Sequence, residues 1–167
     1  MLGIPKLADD FTGTAAVIVH ALQQLPFFDF ACCIYATAPL LQARYLRQGI
    51  ELLEQRPDKS FTFSVCGFGF PVQRALTLDA QGALTALYPE FRNTRSQDLS
   101  EAFQDAGQFY WGRTDAWLGN KPVFGDNSKM LVLPDHLVQD IDTAADWQRA
   151  ELLHQLLLQS TNPLKVR

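Results

Sequence analysis

Two carboxylates stand two residues apart in the stretch Val138-Gln139-Asp140-Ile141-Asp142-Thr143-Ala144-Ala145-Asp146-Trp147. In an extended segment side chains alternate. Asp140 and Asp142 would then share one side of the chain, and Ile141 would anchor the segment in the core from the other. Paired carboxylates suit a hard cation such as Mg²⁺, which takes oxygen ligands and usually retains waters or substrate phosphates. The same residues have a plainer reading. Asp142 or Thr143 caps the helix that follows, Thr143 with Asp146 resembles a capping box, and Asp140 is a solvated loop acid. Short acidic motifs recur by chance, so spacing alone leaves both readings open.

Three other places carry residue types that do chemistry. Asp9-Asp10-Phe11-Thr12-Gly13-Thr14 puts acids and hydroxyls ahead of an apolar stretch. It serves either as a loop and N-cap or as a helix start whose free N–H groups hold an anion or ribose hydroxyls. Arg95, in Arg95-Ser96-Gln97-Asp98-Leu99, is a fork for carboxylate or phosphate. Gly107, in Asp105-Ala106-Gly107-Gln108-Phe109-Tyr110, would let backbone approach a ligand. The alternative for both is a surface loop entering an aromatic core strand. His20 is read as a packed or surface histidine.

The chain that must position these residues has 167 of them, 47% hydrophobic and 19% charged, which suits one globular domain. A net charge of −4 argues against a general nucleic-acid or membrane-surface binder. No signal-peptide pattern and no bilayer-length apolar run is present, so no membrane partner is expected. The three cysteines lack zinc-type spacing and suit a reducing, cytoplasmic setting.

In chain order, Phe11 to Leu25 reads as a helix capped by acids. Phe28 to Tyr35 is a near-continuous apolar run that fits a strand buried on both faces, as in a parallel sheet. Ala36-Thr37-Ala38-Pro39 ends it, and Leu40 to Gln55 reads as an amphipathic helix. A strand, a tight turn and a helix form the place where α/β proteins put ligands. Phe61 to Cys66 is a second buried strand. Pro71 to Leu78 and Ala83 to Tyr88, joined by Asp79-Ala80-Gln81-Gly82, read as a hairpin or an excursion from the sheet. Pro122 to Phe124 reads as short and extended, and Met130 to Leu133 as a strand. In the last helix Ala150, Leu153 and Leu157 share a face beside Trp147. No internal repeat or linker marks a second domain.

Together the motifs resemble a family. Leu7-Ala8-Asp9-Asp10-Phe11-Thr12-Gly13-Thr14, Ile34-Tyr35-Ala36-Thr37-Ala38-Pro39, Arg95-Ser96-Gln97-Asp98-Leu99, Asp105 to Tyr110 and Asp140-Ile141-Asp142-Thr143 occur in the order of the CMP-sialic acid synthetases. They look most like the branch that activates pseudaminic acid, over about residues 7–157. The resemblance implies an α/β, three-layer Rossmann-like nucleotidyltransferase (nucleotide-diphospho-sugar transferase) fold with a mixed sheet. It implies CTP and a nine-carbon 2-keto sugar acid as substrates, the CMP-sugar and pyrophosphate as products, and Mg²⁺ as cofactor. Asp140 and Asp142 then match the family's metal-holding catalytic acids. Asp10, Thr12, Thr14, Thr37, Ala38 and Pro39 match positions beside the nucleotide. Tyr35, Gln73, Arg74, Arg95, Gln104, Asp105, Gln108 and Tyr110 match positions near the sugar. Sialic acid enzymes tend to have Gln-Pro-Thr-Ser-Pro at Tyr35 to Pro39 and Pro-Asn-Gly at Asp105 to Gly107. Both departures favour a different nonulosonate, and a sialic or legionaminic acid remains the alternative. The resemblance also implies a homodimer formed through the excursion at residues 67–88.

One family feature has no counterpart. Family members begin with a strand and a Gly/Ser/Lys/Arg-rich loop that cradles the triphosphate, and this chain starts just before the Asp-Asp-Phe-Thr-Gly-Thr motif. The expectation is an N-terminally truncated or atypical single domain over residues 1–167. It would be weakly active or inactive alone, or a binding or assembly module, with apolar sheet surface left uncovered.

Overall fold

The computed structural model describes Leu7 and residues 12–160. Its centre is strand β2 (Phe61–Gly67), buried along nearly its whole length. On one side β2 pairs in parallel with β6 (Ser128–Val132), and on the other it pairs antiparallel with β5 (Phe103–Arg113). β5 in turn pairs antiparallel with β1 (Phe30–Ile34), giving the mixed order β1-β5-β2-β6. Apolar Phe61, Val65 and Cys66 and polar Thr62 and Ser64 of β2 are all buried, because helices cover both faces of the sheet.

On one face lies α2 (Ala43–Glu54), whose Leu46, Gly49, Ile50 and Leu53 recur at helical spacing, with Gly49 and Leu53 fully buried. The Trp111 indole N–H of β5 donates to the Leu46 carbonyl at 2.9 Å, tying sheet and helix together. On the other face, α1 (Thr14–Leu22) and the short α3 (Thr114–Leu118) pack around Phe61, Tyr110 and Trp117, with Ile18 and Leu22 against that cluster. A second cluster, Cys66, Ala106 and Leu133, holds the opposite end of the strands together. The result is the three-layer α/β arrangement expected from the sequence, with Phe61, Phe109, Leu53 and Leu133 at its driest points.

Three features differ from the sequence reading. α1 starts at Thr14 with Gly13 at its N-cap, so within the described residues the cap is not an acid. β1 is not a strand buried in a parallel sheet. Among the described residues it pairs antiparallel with β5 alone, and Ile34 is half exposed. Its run of apolar residues faces partial cover on each side rather than a neighbour on both edges. Pro122 to Phe124, read as short and extended, has no regular structure at residue 122 and a bend at residues 123–125.

The hairpin is present as β3 (Leu76–Leu78) and β4 (Leu84–Ala86), a separate two-stranded sheet. Asp79 closes its turn by accepting the N–H groups of Gln81 and Ala83 at 2.9 and 2.8 Å, and Gly82 takes the left-handed conformation at φ +81°. The last helix, α4 (Ala144–Ser160), turns Ala150 inward and leaves Trp147 more than half exposed.

Candidate active site

β5 carries the site because it is not a regular strand. Phe63 of β2 is opposite Tyr110, and two residues later Val65 is opposite Asp105, so two residues of β2 span what takes five residues of β5. In a regular strand, residues five apart would point to opposite faces about 17 Å from each other. The bulge folds them together: the Tyr110 hydroxyl donates to Asp105 Oδ2 at 2.5 Å. Gly107 makes the reversal at φ +59°, and its N–H donates to Asp105 Oδ1 at 3.0 Å. A bulge leaves ladder groups unpaired, and Ser64, fully buried opposite it, replaces them. Its hydroxyl accepts from the Phe109 N–H at 3.2 Å and donates to the Phe109 carbonyl at 3.4 Å.

Tyr110 is a hub. Its ring sits 5.3 Å from that of Tyr35 and 6.1 Å from that of Phe63. Burial, reinforced by the Asp105 carboxylate, holds its hydroxyl far above the ordinary phenol range, so it is a hydrogen-bond donor at any working pH. The Tyr35 hydroxyl meets Thr14 Oγ1 at 3.1 Å, and the Tyr35 N–H donates to the Gln108 carbonyl at 3.0 Å. Thr14, Tyr35, Asp105 and Tyr110 thus line one open cavity of about 280 Å³, with Trp117 and Phe124 closing its apolar side. Sequence reasoning missed those last two. Trp117 carries no reading from sequence and Phe124 only that of a short extended segment, and the packing of Phe124 on Phe63 at 5.0 Å brings it to the rim.

The acidic segment meets the bulge from the other end. Residues 138–141 have no regular structure, and Asp142 lies at a bend. The Asp140 carboxylate rests on Gly107: a Cβ there would stand 3.2 Å from Asp140 Oδ2. Asp140 Oδ1 accepts the Ile141 N–H at 3.0 Å. Ile141 enters an apolar groove with Pro39, Leu40, Trp147 and Ala150, which joins this segment to the turn after β1. That turn, closed by Ala38 N–H to the Tyr35 carbonyl at 3.2 Å, carries Thr37, Ala38 and Pro39. Thr143, not Asp142, caps α4. Thr143 Oγ1 accepts from the Asp146 N–H at 3.3 Å, and the Thr143 N–H donates to Asp146 Oδ2 at 2.9 Å. Asp142 is exposed and, among the described residues, its carboxylate accepts no hydrogen bond.

The other sequence-predicted residues lie apart from the cavity or are engaged elsewhere. Gln108 is buried, and its amide donates to the Leu137 carbonyl at 2.5 Å. Gln104 donates to Cys66 Sγ at 3.4 Å. Gln73 donates to the Ser100 carbonyl at 2.9 Å, and Arg74 is pinned on the carbonyls of Arg92 and Thr94. Arg95, largely exposed, spends its fork on Asp98 at 2.7 Å. Thr12 adjoins the start of α1, and Asp10 lies outside the described residues. Among the described residues no group of three or more His, Cys, Asp or Glu side chains is placed to hold a metal ion. Two carboxylates with phosphate and water completing the shell are nevertheless what Mg²⁺ commonly uses, and Asp140 Oδ2 and Asp142 are of that donor type. No described helix is long and apolar enough to cross a membrane.

No protein-family model matches the chain. The three layers and mixed sheet are those of the nucleotidyltransferases that make CMP-sugars. A solved CMP:2-keto-3-deoxy-manno-octonic acid synthetase complexed with CTP superposes with a TM-score of 0.57 over 87% of this chain and 70% of that one. Only 11% of residues are identical, so that likeness shows the fold. Sequence goes further. The chain is 38% identical over 155 residues to the pseudaminic acid cytidylyltransferases of two Campylobacter jejuni serotypes, O:2 and O:23/36, covering 90% of this chain. It is 34% identical over 140 residues to a Helicobacter pylori protein named as pseudaminic acid cytidylyltransferase and UDP-2,4-diacetamido-2,4,6-trideoxy-beta-L-altropyranose hydrolase, covering 82% of this chain and 27% of that protein. The chain belongs to the pseudaminic acid cytidylyltransferase family. It spans about two thirds, 66%, of the length of the Campylobacter relatives.

Proposed function

We propose that this chain carries the sugar-side and metal-side portions of a site that transfers CMP from CTP to a nonulosonic acid, pseudaminic acid in the first instance, with release of pyrophosphate. The observation that carries the proposal is the likeness to the Campylobacter enzymes over 90% of the chain, beside the meeting of Asp105, Tyr110 and Asp140 at one β5 bulge. In the reaction the sugar's anomeric hydroxyl oxygen forms a bond to the α-phosphorus. The bond from that phosphorus to the β-phosphate bridging oxygen breaks, and pyrophosphate leaves with the electron pair. Asp140 and Asp142 would hold Mg²⁺, whose chemistry when bound is to offset phosphate charge and ease deprotonation of the attacking hydroxyl.

This chain's own residues supply orientation. The Thr14–Tyr35 hydroxyl pair offers donors and acceptors on the cavity wall. Trp117 and Phe124 supply its apolar side. The hairpin leaves Leu76, Leu78 and Leu84 exposed, with Phe70 at 86% exposure just before it. Apolar surface of that kind supports a homodimer through residues 67–88, which light scattering on the eluting protein tests. A cytoplasmic location accords with the absence of any membrane-spanning helix among the described residues.

The function test is calorimetric titration of CTP with and without Mg²⁺, followed by product analysis with pseudaminic, legionaminic and sialic acids. Magnesium-dependent CTP binding, lost in the Asp140→Ala, Asp142→Ala variant, and CMP-pseudaminic acid as the preferred product are expected. Metal-independent binding, or equal turnover of all three sugars, would overturn respectively the metal assignment and the sugar preference.

A further inference from the structure

We infer that the bulge of β5 is a positioning device for Asp140, in which Asp105, Gly107, Gln108 and Tyr110 act through the acid rather than on the sugar. The inference rests on the proposed function for what Asp140 does, and on geometry alone for how it is held.

Asp105 is engaged on both oxygens from within the strand. Oδ1 takes the Gly107 N–H at 3.0 Å and Oδ2 takes the Tyr110 hydroxyl at 2.5 Å. Those two bonds fix the left-handed turn at Gly107, φ +59°. The turn presents a bare backbone, and the Asp140 carboxylate lies where a side chain at residue 107 would be: 3.2 Å from the Cβ position to Oδ2 and 3.5 Å to Cγ. Gln108 grips the same segment three residues earlier, donating from a buried amide to the Leu137 carbonyl at 2.5 Å. Its own carbonyl accepts the Tyr35 N–H at 3.0 Å, so one strand reversal sets both the acid and the turn after β1. Gln108 has almost no surface to offer a ligand. A residue that bound only sugar would need no such grip on residues 137–140.

Two measurements on the full chain test this separately from the function. The first needs no ligand. Gly107→Ala is compared in the parent and in Asp140→Ala by thermal unfolding. Backbone strain at φ +59° is common to both, so any difference isolates the contact between residue 107 and the Asp140 carboxylate. The loss in Tm should be smaller by about 2 °C or more in the Asp140→Ala background. Equal losses in the two backgrounds overturn the inference. Should Gly107→Ala not fold in the parent yet fold in Asp140→Ala, the contact is demonstrated more strongly. Should it fold in neither, Tyr110→Phe, which keeps the ring and removes the Asp105 bond, takes its place in the cycle with the same two outcomes.

The second measurement is CTP titration with and without Mg²⁺. Gly107→Ala and Gln108→Ala should reduce the magnesium-dependent gain in affinity about tenfold and leave metal-free binding within twofold, with no further reduction in Asp140→Ala. Loss in Asp140→Ala but full retention in the Gly107 and Gln108 variants overturns positioning. Full retention in Asp140→Ala overturns the metal assignment instead, and the thermal cycle still decides whether the bulge holds the acid.

Discussion

Gly49 decides how closely α2 lies on the sheet, and Gly49→Ala measures it. A Cβ at this position would stand 2.8 Å from Phe109 Cε2 and 2.9 Å from Trp111 Cδ1. Carbon atoms pack at about 3.5–4.0 Å, so each ring would have to yield by roughly 0.7 Å. Neither is free to do so. Phe109 is fully buried, and Trp111 is pinned by its indole N–H to Leu46 on the same helix. Overpacking of this kind costs about 1–3 kcal/mol. In the other direction, alanine is a better helix former than glycine by about 0.5–1 kcal/mol. The clash wins, and the net loss is about 1 kcal/mol, equivalent to roughly 2–4 °C in Tm for a domain of this size. Urea unfolding followed by circular dichroism, with linear extrapolation at an unchanged slope, reads it. Gly49→Leu should prevent folding. If Gly49→Ala is as stable as the parent or more so, α2 stands further from β5 than described. The turn from Tyr35 to Pro39, which leads into α2, would then be misplaced as well.

Three further outcomes follow from other parts of the molecule. Thr143→Ala removes the α4 cap and should cost about 1 kcal/mol in the same urea experiment, with helix content reduced at the N-terminal end of α4. The Asp146 carboxyl is held below its usual value chiefly by the Thr143 hydroxyl bond. Its folded pKa is depressed, so the stabilisation is fully present above the ordinary carboxylate pKa and is lost as pH falls through the folded value. The gap between parent and Thr143→Ala should therefore be constant near neutrality and shrink below about pH 4, and a gap that widens in acid would reverse the sign of the argument. Burial, aided by the neighbouring Cys33, pushes the Cys32 thiol up to about 12. Only about 10⁻⁴ of it is thiolate at pH 8, so a soluble disulfide reagent should modify it orders of magnitude more slowly than a free thiol until the chain is unfolded.

The parts of the fold that obey a period were legible in the sequence. The α2 stripe, the buried run of β2, the Asp79 to Gly82 turn and the Thr143/Asp146 cap each depend on residues close together in sequence, and each lies where the sequence reading puts it. β1 was misjudged because an apolar run reports burial and cannot report strand direction or the number of neighbours. The site was legible only as motifs in order. What joins them has no local signature: Asp105 reaches Tyr110 five residues on, and Asp140 reaches Gly107 across thirty-three residues of chain. Gly107 was read as a place where backbone approaches a ligand. The close approach is real, but the group approached is the protein's own acid.

That substitution of partner bears on how the two acids divide their roles. Asp142 precedes the cap of α4 by one residue and is exposed, so its carboxylate moves with the helix start. Asp140 is held by a different body. Its carboxylate lies on β5, and its segment is gripped by Gln108 at Leu137. Ile141 between them is seated in the groove formed by Pro39, Leu40 and α4. The local conformation of residues 140–142, on which the separation of the two carboxylates depends, is thus held by the packing of a strand against a helix. A cation shared between them would report that packing. A substitution in the Ile141 groove far from any ligand, such as Ala150→Val, should change metal dependence before it changes the cavity around Tyr35 and Tyr110.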